Sequence, residues 1–574
     1  VDLASLRNAD LAHLISAADA YDALHRAFAQ HVEDWKKGTA LPVRDLYWTG
    51  EAAQAAAPII YATSKKLHGA DLEMTAIGKN LRDHADLFAL AQSKLRKALD
   101  DAAAKGFSVG DSGAVSWLPS ANAYTAPGWE DKQRAAAEEI NKRIVAALTE
   151  ATEADRQLAE LLTTYTKHAD TGNGLGIAAE MDLAAANATG HEPWKKDLPG
   201  EKATPTEVNA WWRSLDPQGQ EWFRKQHADV IRNLDGIPAQ ERDQLNRTYL
   251  NDRLVQLERE GRKETEEYRR LAAIQGRLKD NVENQATQPL AYLLGVSTEG
   301  NGRAVISFGN PDTATDVSAY VPGITSTPYS LGPKGEPYLP GTNEAENTLN
   351  LWREADRRKK PGGSVASIVW LGYDAPDADP TAASGNAAAK GAPDYARFLT
   401  GLRASHAGGT PPHITSIGHS YGSLVTGLAT RLTVHDPSYA PPDDVVFVGS
   451  PGVGTPRASD LKMPGHVWVG AAADDPVTHL PSYNDLRNAT DFGTAIAVAQ
   501  HLVFDPDGTW YGTDPASKTF GATRFSVDDW SAATDPMYGA HTKYLTPENG
   551  GPSLGNIAAV VTGHGGDVQR VDRR

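Results

Sequence analysis

The segment Gly418-His419-Ser420-Tyr421-Gly422 places a serine where strand text turns into helix text. It follows the apolar run at 414–417 and precedes the helical run at 423–429, so Ser420 sits at the apex of a sharp turn. Glycines two before and two after it fit such a turn, because side chains there would collide with neighbouring backbone. The first helical turn then aims unpaired N–H groups at the serine. A serine hydroxyl is a weak nucleophile alone; it needs a histidine base held by a carboxylate.

In this arrangement the chain order is serine, acid, histidine. The acid belongs after a later strand, and Val467-Trp468-Val469-Gly470 runs into Asp474-Asp475-Pro476. Asp475 is the first choice and Asp474 the fallback. The base belongs after the last strand. His541, in a loop of turn-forming residues, fits best; His564 is its competitor, and His479 and His501 come too early. His419 neighbours the nucleophile, points away from it, and is expected to pack or make a supporting contact. An oxyanion hole needs two donors. One is the N–H of Tyr421. The other belongs to the loop Pro322-Gly323-Ile324-Thr325, where Gly323 permits a close turn and the N–H of Ile324 or Thr325 faces the anion.

These residues require a sheet that gathers strand ends. Short apolar runs at 290–296 and 303–308 flank a turn and read as a hairpin. Strands follow at 317–321, 365–371, 414–417, 445–448, 466–469 and 523–527, with helices at 343–358, 392–404, 421–434, a looser one at 482–500, and one at 554–561. Alternation of this kind predicts an α/β fold, a mostly parallel sheet with helices on both faces and function at the carboxyl ends of strands. The loop at 372–376 also ends a strand; Tyr373 there packs on substrate or on scaffold. The Ala-, Asp- and Gly-rich stretch 377–391 reads as mobile.

The first half is helical. Leu14, Ala18, Tyr21, Leu24, Phe28, Val32 and Trp35 form one stripe, and Met74, Ile77, Leu81, Phe88, Ala91 and Leu95 another. Trp48-Thr49-Gly50 lies between them, giving a long helical hairpin. A small strand hairpin is expected at 107–117 and helix again from about 131 to 168. Thr204-Pro205-Thr206-Glu207 reads as a capped helix start. The Trp-rich segment near 211–223 reads as core or as apolar lid surface. A last long helix near 250–278, with Gly261 a bend or break, carries a charged face that reads as solvated. Three divisions follow: 1–128, a helical hairpin with a small strand extension; 129–285, a helical lid or pocket wall; and 286–574, the catalytic domain.

Composition narrows the chemistry. The 574 residues include no cysteine, which excludes thiol catalysis, disulfides and Fe–S clusters. A net charge of −17 disfavours a grip on nucleic acid. No apolar run is long enough to span a membrane. Val1-Asp2-Leu3 lacks the features of a signal peptide, so the cytoplasm, or export without a classical signal, is expected.

Residues from about 289 onward resemble an α/β-hydrolase. More narrowly, the chain resembles an actinobacterial α/β-hydrolase family long described as a domain of unknown function. The residues that carry this are Leu234-Asp235-Gly236-Ile237-Pro238, Arg242-Asp243, Asn246-Arg247, Gly309-Asn310-Pro311-Asp312-Thr313-Ala314, Val321-Pro322-Gly323, the Ser420 segment, Gly449-Ser450-Pro451-Gly452 and 556–563. The resemblance implies nucleophile, acid and base at Ser420, Asp475 and His541, and names no substrate. The Trp48-Thr49-Gly50 hairpin is similar to small helical-hairpin proteins linked to type VII secretion. That likeness implies an envelope or secretion-system partner for the helical region. The expected activity is hydrolysis of a small-molecule or lipid-like ester, with no metal or cofactor. Amide or peptide cleavage by the same triad is the alternative, and a non-catalytic secretion-linked protein the other.

Overall fold

The computed structural model describes residues 1–40, 51–117, 129–171, 203–215, 217–333, 343–378, 382, 384–479, 508–528, 539–547 and 552–574. They form two compact units. The first comprises Val1–Lys202 and Ala210–Gln226; the second comprises Ala203–Asn209 and His227–Arg574.

In the first unit, α1 (Leu3–Asn8) and α2 (Ala12–Trp35) precede the long α3 (Glu51–Ala104). A small hairpin, β1 (Ser108–Val109) and β2 (Val115–Ser116), leads to α4 (Trp129–Thr171). Contacts fix the directions. Asp19 and Asp22 meet Arg82, His25 meets Asp71 and Trp35 meets Ser64, so α2 and α3 run antiparallel. Arg143 meets Asp101 and His168 meets Glu73, so α4 reverses again. The small and branched stripe Ala18, Ala76, Ile77, Leu81 and Leu158 forms one core cluster between the helices. The Trp48-Thr49-Gly50 turn lies outside the described residues. The aromatic helices α5 (Pro205–Ser214) and α6 (Pro217–Gln226) come next. Thr204 and Glu207 form the expected reciprocal cap at the start of α5. Trp211 meets Phe223 edge-on and the Trp222 indole N–H donates to Asp86, which is core packing within the first unit.

In the second unit α7 (Ala239–Arg259) and α8 (Glu266–Glu283) precede the sheet, two helices where one was expected. Gly261 takes a φ of +70°, a left-handed stop that ends the first. The sheet follows: β3 (Ala291–Ser297), β4 (Arg303–Phe308), β5 (Asp316–Val321), β6 (Val365–Leu371), β7 (His413–His419), β8 (Asp444–Val448), β9 (Val467–Gly470), a short hairpin β10 (Gly508–Thr509) with β11 (Gly512–Thr513), and β12 (Thr523–Phe525). Eight strands join in the order β12-β9-β8-β7-β5-β6-β4-β3. β3 and β4 pair antiparallel, as do β4 and β6; every other pairing in this sheet is parallel. Flanking helices are α9 (Glu344–Arg358), α10 (Asn386–Ser405), α11 (Gly422–His435) and α12 (Pro552–Val561). The expected mostly parallel sheet with helices on both faces is present. The expected helix at 482–500 lies outside the described residues.

α10 begins six residues earlier than periodicity predicts, so 386–391 is helix rather than a mobile stretch. Its small residues are packing residues: a Cβ on Gly391 would lie 2.7 Å from the Tyr373 Cβ. Ahead of the charged face expected near 250–278, polar side chains from 232–247, with Asn281, cover the edge of β3. Arg232 and Asn233 donate to the Val296 carbonyl, Arg242 to Leu294 and Arg247 to Ala291. Asp243 and Asn281 accept the N–H groups of Leu293 and Ala291. An edge strand carries unpaired backbone groups, and these side chains satisfy them. The 227–283 segment therefore belongs with the sheet.

Candidate active site

β7 ends at His419 and α11 starts at Gly422, leaving two residues to reverse the chain. Ser420 does so with a φ of +53°, a left-handed conformation that side chains rarely adopt. Its N–H donates to the Val448 carbonyl at 3.0 Å, which ties the elbow to the end of β8. A Cβ on Gly418 would lie 2.6 Å from the Ser423 Cα, and one on Gly422 2.2 Å from the Val321 carbonyl oxygen. Both glycines are thus required by backbone approach.

The loop after β5 presses against the elbow. A Cβ on Gly323 would come within 2.7 Å of the Ser420 Cβ and 3.0 Å of its Oγ. Among the described residues, the N–H groups of Tyr421 and Ile324 have no acceptor. The Thr325 N–H already donates to the Pro376 carbonyl at 2.8 Å, so of the two expected donors in this loop Ile324 is the one left open. Tyr373 is buried scaffold. Its hydroxyl donates to the Pro322 carbonyl at 2.8 Å, and its ring stacks on Trp370 and Tyr421.

The candidate acid lies beyond β9. Asp475 is fully buried, whereas Asp474 is exposed. Both Asp475 oxygens lie 3.0 Å from the His541 Nδ1. Oδ1 also accepts the Val477 N–H at 2.9 Å, and Oδ2 the Tyr544 hydroxyl at 2.7 Å. Burial pushes this carboxyl up, but the His541 charge and the hydrogen bonds from His541, Tyr544 and Val477 outweigh it and hold it at about 2. With Nδ1–H given to a carboxylate, neutral His541 has Nε2 free to accept a proton. Among the described residues Nε2 has no partner, and no hydrogen bond joins it to the Ser420 Oγ. Catalytic hydrogen bonds are often loose without substrate. Gly449, next after β8, has a φ of +56°; a Cβ there would lie 3.1 Å from the His541 Cε1 and 3.0 Å from the Asp475 Oδ2. The glycine makes room for the pair beside the strand whose last carbonyl holds Ser420.

The competing histidines are engaged elsewhere: His564 with Thr562, and His479 with Arg574. His501 lies outside the described residues. Tyr544 was missed by sequence reasoning. It sits three residues after His541, accepts the Ala472 N–H at 3.0 Å while donating to Asp475, and is fully buried. A tyrosine close after a candidate base carries no local signal of a contact 69 residues back. Among the described residues no cluster of histidine, aspartate and glutamate is arranged to hold a metal, and no helix is long and apolar enough to cross a membrane.

A sequence profile of the family described as "Alpha/beta hydrolase" matches residues 298–485. That span includes the Ser420 elbow and Asp475 and ends before His541. An uncharacterized protein of Mycobacterium tuberculosis, Rv2079, is 29% identical over 447 residues, covering 71% of this chain and 64% of its own length. The chain therefore spans about two-thirds of that relative. The matched share exceeds the part of the chain from β3 onward, so the likeness reaches into the helical half. An uncharacterized protein of Mycobacterium bovis, Mb0988c, is 32% identical over 213 residues, covering 36% of this chain and 74% of its own length. No solved structure matches the chain.

Proposed function

Because the chain belongs to the alpha/beta hydrolase family whose profile it matches, we propose that it is a serine hydrolase of carboxylic esters, using Ser420, His541 and Asp475. His541 Nε2 takes the proton from Ser420 as the oxygen attacks the ester carbonyl. Asp475 holds the imidazole through Nδ1 and stabilises the cation that forms. The N–H groups of Tyr421 and Ile324 receive the oxyanion. Collapse expels the alcohol, which takes the proton from His541 and leaves an acyl group on Ser420. Water, deprotonated by His541, then releases the acid. No metal or cofactor enters this scheme, and the substrate is a small-molecule or lipid-like ester.

One observation carries the reading. A buried His–Asp pair, its Nε2 without a partner among the described residues, lies at the same strand ends as a left-handed serine elbow. Short p-nitrophenyl esters and a matched p-nitroanilide test it on the full chain. The wild type should turn over the ester and be far slower on the anilide, and Ser420→Ala should lose about 10⁴-fold or more in kcat. Wild-type rates in Ser420→Ala would refute the assignment, and preference for the anilide would make the enzyme an amidase.

A further inference from the structure

We infer that His419 is a positioning residue for the catalytic base, holding the main chain of His541 through an Nε2–H donated to the His541 carbonyl; this rests on His541 being that base. The bond is 2.7 Å long and joins residues 122 positions apart. A carbonyl only accepts, so Nε2 carries the proton. The other nitrogen, Nδ1, faces the Tyr320 hydroxyl at 3.4 Å. That hydroxyl gives its one proton to the Glu344 Oε2 at 2.7 Å, so it donates none to Nδ1.

The environment suits an uncharged donor. His419 is buried, and its ring centroid lies 4.8 Å from that of His541. Burial, then the charge of His541, pull His419 down to about 3. A second cation would oppose the imidazolium that forms on His541 during attack; a neutral imidazole supplies an N–H without that penalty. Tyr320 stacks on this ring and Tyr544 lies at a tilt to it, so the ring has little freedom.

The loop carrying the base depends on such contacts. Its residues 539–547 form turns rather than helix or strand. Three of its carbonyls are held by side chains from elsewhere: His541 by His419, Tyr544 by Ser553 and Leu545 by Asn350. His419 holds the one on the base itself. Because it directly precedes Ser420, the same strand end fixes both nucleophile and base.

The test compares His419→Phe, which keeps a ring and removes the donor, with His419→Gln, whose amide places an N–H near the same point. Reaction with a fluorophosphonate and turnover of a p-nitrophenyl ester are read on the full chain, with circular dichroism and melting as fold controls. His419→Phe should lower kcat and the labelling rate about 30-fold with KM within about twofold, and His419→Gln should recover most of the loss. Equal rates in wild type and folded His419→Phe would overturn the positioning role alone, as would a His419→Gln no better than Phe. No label and no turnover on wild type would overturn the hydrolase reading and this inference together. Should His419→Phe fail to fold, histidine ¹⁵N spectra of the wild type decide: a neutral His419 protonated on Nε2 from pH 5 to 8 supports the role, and protonation on Nδ1 overturns it.

Discussion

The two ends of the central sheet each hold a buried aspartate against histidine, and the pairs differ in what the histidine has left. At the carboxyl ends, His541 gives Nδ1 to Asp475, and among the described residues its Nε2 has no partner. At the amino ends, His413 gives Nε2 to Asp444 at 2.9 Å and Nδ1 to the Val561 carbonyl at 2.9 Å. Both nitrogens of His413 face acceptors, an arrangement that favours its protonated form. Burial pulls it down, but the bond to Asp444, the Val561 carbonyl and the charges of Asp444 and Asp443 outweigh that and raise it. Asp444 also accepts from His466 and the Trp468 indole, so one carboxylate fastens β7, β8 and β9. A short His–Asp distance therefore does not identify a base. What separates the two pairs is the fate of the second nitrogen and the end of the sheet on which it lies.

The largest expected effect breaks this comparison into activity and stability. His541→Gln should lower ester kcat about 10⁴-fold or more in a chain that still folds. His413→Gln should do the reverse, keeping kcat within about twofold while losing about 2 kcal/mol, the scale of a hydrogen bond to a charged group. Steady-state kinetics and urea unfolding of the two variants check this; activity loss in both would erase the distinction. A smaller effect sharpens the upper pair. Tyr544→Phe removes one donor from Asp475 and should cost about tenfold in kcat with KM unchanged, measured on the same ester. An unchanged kcat would make Tyr544 mere packing.

The comparison also shows in pH dependence, where the pairs have opposite signs. His413 has a raised folded value, so its contribution is full below about 6.5 and is lost as pH rises through that raised value. Asp475 is depressed from 3.8 to about 2, so its contribution is present above 3.8 and is lost as pH falls towards 2. The second amounts to about 2 kcal/mol. Unfolding free energies across pH should lose their alkaline slope in His413→Gln and their acid slope in Asp475→Asn.

The elbow was legible because its constraint is local: Gly418, Ser420 and Gly422 are spaced for one turn and follow a strand. The strand runs were legible because parallel strands buried on both faces are apolar throughout. The interactions that hold the base were not. Tyr544 and Asp475, or His419 and the His541 carbonyl, meet across long separations, and neither spacing nor periodicity encodes such contacts. Arg242, Asn246 and Arg247 carry no local sign of what they touch; here the open edge of β3 turns them inward. The start of α10 was hidden by its small residues, which look like loop until Tyr373 is seen packed on Gly391.

The most direct test of the central claim is intact-mass labelling of the full chain with a fluorophosphonate, followed by peptide mapping. A single adduct on Ser420, absent from folded Ser420→Ala and from His541→Gln but present in His413→Gln, is the predicted result. An adduct on another residue, or undiminished labelling without His541, would contradict it.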